Sequence, residues 1–291
     1  MSQPRISVYA SSADGNAIPT RVIQGAKTLQ ARTSHYIAID SIHDEIAVPN
    51  PFAQAILFFH GGANGNEAPI RIIQGPKTLL SAPDNVAVDA VHREVYTASF
   101  PTDSILIYQS DATGDVAPIR IIHGPKTQLD RPIRVEVDSV NNVLAVVNDH
   151  AILVFDRTAN GDVAPKWALG GTKVAVGSGN GTRDVKLYPE GKKIVAGGVI
   201  RAQQRGARSA EGRGRGGDGE GGFGGGGQRF VGIWKYGDTG DIQPWAALNS
   251  TPTTQINGSR LALNPDNQDL IVGGDGVVHI YHLPEIFQRT D

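Results

Sequence analysis

A four-part unit that recurs along the chain constrains this sequence more than any other feature. The stretch Ile6–Tyr9 (ISVY) returns as Ile56–Phe59 (ILFF), Ile105–Tyr108 (ILIY), Ile152–Phe155 (ILVF), Val231–Trp234 (VGIW) and Val278–Tyr281 (VHIY), at intervals of 50, 49, 47, 79 and 47 residues. Self-similarity at such a period marks a repeat architecture. The first five copies each lead into a small-polar-glycine turn and a proline: ADGNAIP (13–19), ANGNEAP (63–69), ATGDVAP (112–118), ANGDVAP (159–165) and DTGDIQP (238–244). A reversing chain uses glycine where φ is positive, and proline costs least at the start of a strand.

Beyond the proline the unit reads RVIQG, RIIQG or RIIHG, then Lys-Thr and a loop. Two more short runs follow. The first is YIAID (36–40), NVAVD (85–89), RVEVD (134–138), DVKLY (184–188) or RLALN (260–264). The second is EIAVPN (45–50), EVYTAS (94–99), VLAVVN (143–148), KIVAGG (193–198) or LIVGGD (270–275). Each unit is thus four Val/Ile-rich runs divided by turn residues, and no twelve-residue window sustains a 3.6 period. This predicts an all-β fold, a β-propeller of four-stranded antiparallel blades, as one domain over 1–291. A two-sheet sandwich would not need one four-part order copied five times. Counting gives five blades, with the ring closed by the N- and C-terminal strands. The alternative is six, one of them composite or partly missing.

The 79-residue interval has a visible cause. Residues 201–229, a Gly/Arg-rich tract almost without aliphatic side chains, are expected as a flexible insertion within the fourth repeat. Its single Arg-Gly-Gly triplet (215–217) is of a kind that binds RNA. The interspersed acids Glu211, Asp218 and Glu220 disfavour RNA and leave a plain insertion as the better account. The whole chain carries 27 Lys and Arg against 29 Asp and Glu, a formal charge of −2, which argues against a nucleic-acid binder working through overall basicity. Without cysteine there is no disulfide framework, thiolate zinc site or cysteine nucleophile. No 18-residue apolar stretch exists, so no membrane span is expected. The polar opening runs straight into a strand-like segment, so no secretory leader is expected in the chain as written, and the compartment stays open.

The segments YIAID, DEIAVPN and AILFF resemble NHL-type repeats and the wider TolB-like and lactonase-like propellers. NGDVAPIRIIHGPKT is similar to a bacterial subgroup of such repeats. The resemblance covers nearly all of the chain except the glycine-rich tract, and the fourth and fifth units keep its spacing but lose its wording. It implies binding scaffolds, lactone hydrolases, lyases or partner-recruiting domains, and related bacterial repeats are commonly exported. Propellers host unrelated functions, so the motifs specify fold and not activity.

Propeller sites form where the innermost strands begin or end around the central channel. By position, the candidates at the strand starts are His35, Tyr36, Asp84, Asn85, Arg134, Arg183, Asp184 and Arg260. Asn50, Ser99, Asn148, Asp149 and Asp275 lie just beyond the second strands. Both charge signs and several amides suit a polar small molecule or a peptide; the alternative role is to end strands and satisfy turn amides. Lactonase-like propellers hold a divalent cation on a Glu, Asn and Asp cluster. Asn50, Asn148 and Asp149 could take that role, but no glutamate sits at an equivalent position. A central Ca or Mg ion therefore belongs to an enzymatic reading only, and no other cofactor is expected.

Other features have simpler accounts. The Asp and Asn of the glycine turns read as turn formers rather than calcium loops. His43 and His92 share a turn position and are expected in solvent. Gly177-Ser178-Gly179 lacks nucleophile-elbow spacing. Arg21, Arg71 and Arg120 form a stripe that either binds anions or pairs locally, local pairing being favoured. Trp167 and Trp245 are expected to pack, although two exposed rings would make a partner patch. The expected function is a non-enzymatic scaffold binding a protein, peptide or polymer through a face or rim. The alternatives are a lactonase-like or lyase-like enzyme, or a structural subunit of a larger or cell-surface assembly.

Overall fold

The structure, a computed structural model, describes residues 4–32, 35–171, 176–201, 227–250, 256, 260–274 and 277–289. It is an all-β five-bladed propeller with 3-10 turns of three or four residues and no α-helix among the described residues. The chain opens with a ribbon of β1 (Arg5–Val8) and β2 (Arg21–Gln24). Blade one holds β3 (Ala38–Asp40), β4 (Glu45–Asn50), β5 (Ala55–His60) and β6 (Arg71–Gln74), in that order across the sheet. Blade two is β7 (Ala87–Asp89), β8 (Glu94–Ser99), β9 (Ser104–Gln109) and β10 (Arg120–Ile122). Blade three is β11 (Arg134–Asp138), β12 (Val143–Val147), β13 (Ile152–Asp156) and β14 (Trp167–Leu169). Blade four is β15 (Val185–Tyr188), β16 (Lys193–Arg201), β17 (Gly227–Lys235) and β18 (Ala246–Asn249). Blade five has three strands, β19 (Arg260–Asn264), β20 (Asp269–Gly274) and β21 (Val277–His282).

Middle strands packed on both faces need apolar residues at every position, not at alternate ones. Val143–Val147 and Ala55–Phe59 are accordingly buried throughout. Each blade shares a core with the next: Ala47, Ile56, Phe58 and Ile73 of blade one meet Val86, Val95, Leu106 and Tyr108 of blade two. Each buried Ile or Phe contributes about 1.5–3 kcal/mol. The first hairpin of each blade is set by its turn. Asp40, Asp89 and Asp138 accept the backbone N–H three residues on, at 2.9–3.0 Å. His43 and His92, expected in solvent, also pair their Nδ1 with those aspartates, each at 2.8 Å; His92 is exposed and His43 half-buried. Asn141 takes the same place in blade three.

A latch joins the blades at the rim. The turn glycines Gly65, Gly114, Gly161 and Gly240 bridge in parallel to Ile23, Ile73, Ile122 and Leu169, the outer strand of the preceding blade or ribbon. In three of these turns the next residue reaches further: Asn66, Asp115 and Asp162 accept the backbone N–H of Lys27, Lys77 and Lys126 at 2.7–2.8 Å. The approach is close enough that a Cβ at Gly75 would lie 2.5 Å from Asp115 Cγ, and one at Gly124 2.5 Å from Asp162 Cγ. The Gly-Pro-Lys-Thr and Asn-Gly-Asp phrases are thus two halves of one contact, and these turn residues are spoken for as hydrogen-bond acceptors. The arginine stripe pairs locally as well. Arg71 grips Glu45 with two bonds of 2.5 Å, Arg120 grips Glu94 at 2.6 and 2.8 Å, and Arg21 donates to the Ala63 carbonyl.

The terminal strands depart from the expected mixed sheet. Among the described residues β1 pairs with β2 alone, and β21, which has the same sequence type as β1, fills the third position beside β20. The ribbon instead packs on blade one, with Ile6 and Ile23 against Ile46, Val48, Leu57 and Phe59. The Gly/Arg-rich tract is shorter than its sequence boundaries, because Arg201 pairs with Gly227 and Val199 with Arg229 in the β16–β17 hairpin. Residues 202–226, including the Arg-Gly-Gly triplet, lie outside the described residues. After β21 a 3-10 turn (Pro284–Phe287) folds back on blade four, where Lys193 Nζ donates to the carbonyls of Glu285, Ile286 and Gln288 at 2.9–3.0 Å. No helix among the described residues is long and apolar enough to cross a membrane.

Candidate functional site

One position decides the hub: the first residue of the five innermost runs, occupied by Tyr36, Asn85, Arg134, Asp184 and Arg260. Short and long side chains there do different work. Asn85 Oδ1 accepts the N–H of Val135 and Asp184 Oδ2 that of Leu261, each at 2.7 Å, so blades two and four clasp the backbone of the following blade. The long side chains converge. The guanidinium of Arg134 lies 4.5 Å and that of Arg260 5.6 Å from the centre of the Tyr36 ring, with Lys186 Nζ at 5.3 Å. An aromatic face attracts such cations.

Around this stack run ion pairs. Asp84 accepts from Arg134 Nη1 at 2.9 Å and meets His35 Nδ1 at 2.6 Å. Lys186 pairs with Glu136 at 3.0 Å and approaches Asp184 at 4.0 Å. Arg134 Nε donates to the Arg183 carbonyl at 2.9 Å. Burial opposes the charge on Asp84, but His35 and Arg134 outweigh it and hold this carboxyl below its ordinary range. Burial pushes Asp184 up to about 6 against the pull of Lys186. Burial, then the like charge of Arg134, bring Arg260 down to about 10, and the same two causes lower Arg183. Cations are in excess: Arg134, Arg183, Lys186 and Arg260 face Asp84, Glu136 and Asp184. The Tyr36 hydroxyl and Arg260 Nη1 are buried yet make no hydrogen bond among the described residues. A buried polar atom without a partner costs about 1–3 kcal/mol, so these two are primed for an acceptor.

The remaining candidates do structural work. Asn50 Nδ2 donates to the Leu29 carbonyl and its Oδ1 accepts from Ala53. Asn148 does the same for Gln128 and Asp130. Asp149 meets Ser178 Oγ at 3.3 Å and His150 at 3.1 Å, and Ser99 bonds Thr102. Asp275 lies outside the described residues. This donor set does not fit a divalent cation. The hub carboxylates are already paired with guanidinium, ammonium or backbone N–H, and no three His, Asp or Glu side chains converge among the described residues. Lys186 and Glu136 were missed from the sequence, although each is a charge in mid-strand where blades one, two and five have Ala38, Ala87 and Ala262. Trp167 packs against Tyr236, while Trp245 is half exposed.

No protein-family model and no curated protein sequence matches this chain. Solved structures do resemble it. Hydrazine synthase of Kuenenia stuttgartiensis superposes with a TM-score of 0.52 at 15% identity, over 86% of this chain and 58% of that one. A putative 6-phosphogluconolactonase from Bacteroides uniformis ATCC 8492 does so with a TM-score of 0.52 at 12% identity, over 91% of this chain and 69% of that one. This chain thus spans less than two thirds of the hydrazine synthase chain. What these likenesses share with it is the β-propeller fold.

Proposed function

We propose that the protein is a non-enzymatic, NHL-like binding propeller whose hub grips an anionic group, a carboxylate or phosphate, on its ligand. The observation that carries this reading is the pair of buried, unpartnered donors, Tyr36 Oη and Arg260 Nη1, in a hub with more cations than anions. Charge-assisted hydrogen bonds from a fixed guanidinium are strong, and a fork of N–H groups suits an oxyanion. Titration calorimetry with inorganic phosphate and with gluconate tests it. Saturable binding of either anion is expected, weakened at least tenfold by Arg260→Gln. Heats no larger than those of chloride would refute it.

A lactonase-like activity is the second reading, favoured by the fold shared with the putative 6-phosphogluconolactonase. The same hub would then hold the acid product, and turnover of a sugar lactone abolished by Arg260→Gln would replace the first reading with this one.

A further inference from the structure

On the face where the innermost strands begin, four large apolar side chains stand on loops. Leu29, Phe52, Leu79 and Phe100 are 50%, 75%, 52% and 44% exposed. Hydrogen bonds string their loops into one arc over blades one and two. Asn50 Nδ2 donates to the Leu29 carbonyl at 2.8 Å, Gln74 Nε2 to the Ala53 carbonyl at 2.8 Å, and Ser99 Oγ to the Ser81 carbonyl at 3.4 Å. A lone exposed apolar residue is ordinary, whereas a connected set of them marks a surface that meets something.

Two of the four stand there against backbone preference. Leu29 and Leu79 end their 3-10 turns in left-handed backbone, at φ 55° and 59°, where the turn before blade four has Gly181. Glycine adopts that conformation freely and leucine does not, so an exposed leucine there carries strain as well as apolar exposure. The exposure does not come from an unfilled place in the ring. Leu79 and Phe100 have complete four-stranded blades on either side, and the turn before blade three holds an exposed Gln128 at the same position.

Lysines accompany the leucines. Lys27 and Lys77 in the same turns, and Lys126 in the next, are exposed and enter none of the ion pairs among the described residues. The two acids of the four loops are engaged, Asp84 by His35 and Arg134 and Asp103 by the backbone N–H of Arg131. We propose that this face of blades one and two is a contact surface for an anionic lipid bilayer. The apolar side chains enter the membrane interface, and Lys27 and Lys77 meet the headgroup phosphates. Loops on one side of a disc can reach a plane together, which a bilayer offers. The proposal does not depend on what the hub binds.

The test is sedimentation of the full chain with vesicles of phosphatidylcholine and phosphatidylserine in equal parts. Saturable binding is expected, weaker by about tenfold or more on vesicles of phosphatidylcholine alone and at high salt. Phe52→Ser with Leu79→Asn should leave the thermal melt in place, since both positions are exposed and asparagine tolerates left-handed backbone. The pair should weaken binding by about tenfold or more. Lys27→Gln with Lys77→Gln should remove most of the preference for phosphatidylserine. Ile42→Ser with Val91→Ser, at exposed turns on the opposite face, should change nothing. Absence of vesicle binding, binding indifferent to the Phe52 and Leu79 substitutions, or equal loss from the opposite-face pair overturns the proposal. So does self-association in light scattering that the Phe52 and Leu79 substitutions dissolve, which would make a second copy the occupant.

Discussion

The rim and the hub of this propeller are built on opposite principles. At the rim the same residues recur from blade to blade: a glycine, an Asn or Asp beside it, and the Gly-Pro-Lys-Thr turn they hook. At the hub one position carries five placements and four residue types, Tyr, Asn, Arg and Asp. Repetition marks what every blade needs, which is attachment to its neighbour. Departure from repetition marks what only the assembled ring needs, a charged and aromatic centre. Substitutions at the rim should therefore act on stability, and those at the ligand-facing hub positions on binding.

The largest effect is expected at the rim-side ion-pair network. Glu94 is buried among Arg120, Arg157 and the Tyr96 hydroxyl, so Glu94→Ala takes the carboxylate from Arg120 and leaves Arg157 only the longer pair with Asp89. A loss of about 3–5 kcal/mol in urea unfolding is expected. Next is the latch. Gly75→Val, at φ 135° and against Asp115, should cost about 2–3 kcal/mol. The cost should shrink in an Asp115→Ala background, and strict additivity would show that the two residues do not share a contact.

Asp184 crosses the division, since it sits at the hub but clasps backbone. Its folded pKa, about 6, lies above the ordinary 3.8. The folded chain then holds a proton that the unfolded chain releases, and stability falls as pH rises from about 4 to about 6. Asp184→Asn, which copies Asn85, should remove that decline and gain up to about 3 kcal/mol at pH 7. A pH series of thermal melts reads both. The smallest effect on stability belongs to Tyr36→Phe, expected to leave the melt unchanged or to raise it slightly, because no hydrogen bond is lost. Phosphate affinity should still drop, and a destabilised Tyr36→Phe would break the division between hub and rim.

The strands were legible because each repeat states its turns and its Val/Ile runs five times over. The first two innermost runs are nonetheless shorter than they read: YIAID and NVAVD enter the ladder only at Ala38 and Ala87, whereas RVEVD and RLALN pair from their first residue. The closure was not legible. ISVY and VHIY look alike, and only packing puts β1 on blade one and β21 on β20. The candidate site was legible as positions but not as directions. Asn85 and Arg134 share a register position, yet a short amide reaches the neighbouring backbone and a long guanidinium reaches the axis. Asn50 and Asn148 look like ligands in one dimension and act as loop braces in three.

The latch also has a direction. Four of the five glycine turns hook the outer strand that precedes them, and among the described residues none hooks the blade after. A chain emerging from the ribosome N-terminus first can therefore fasten each blade as soon as the next one's turn has been synthesised, without waiting for the ring. Assembly then proceeds like a zip with one slider, each blade held in place by the turn of the blade made after it.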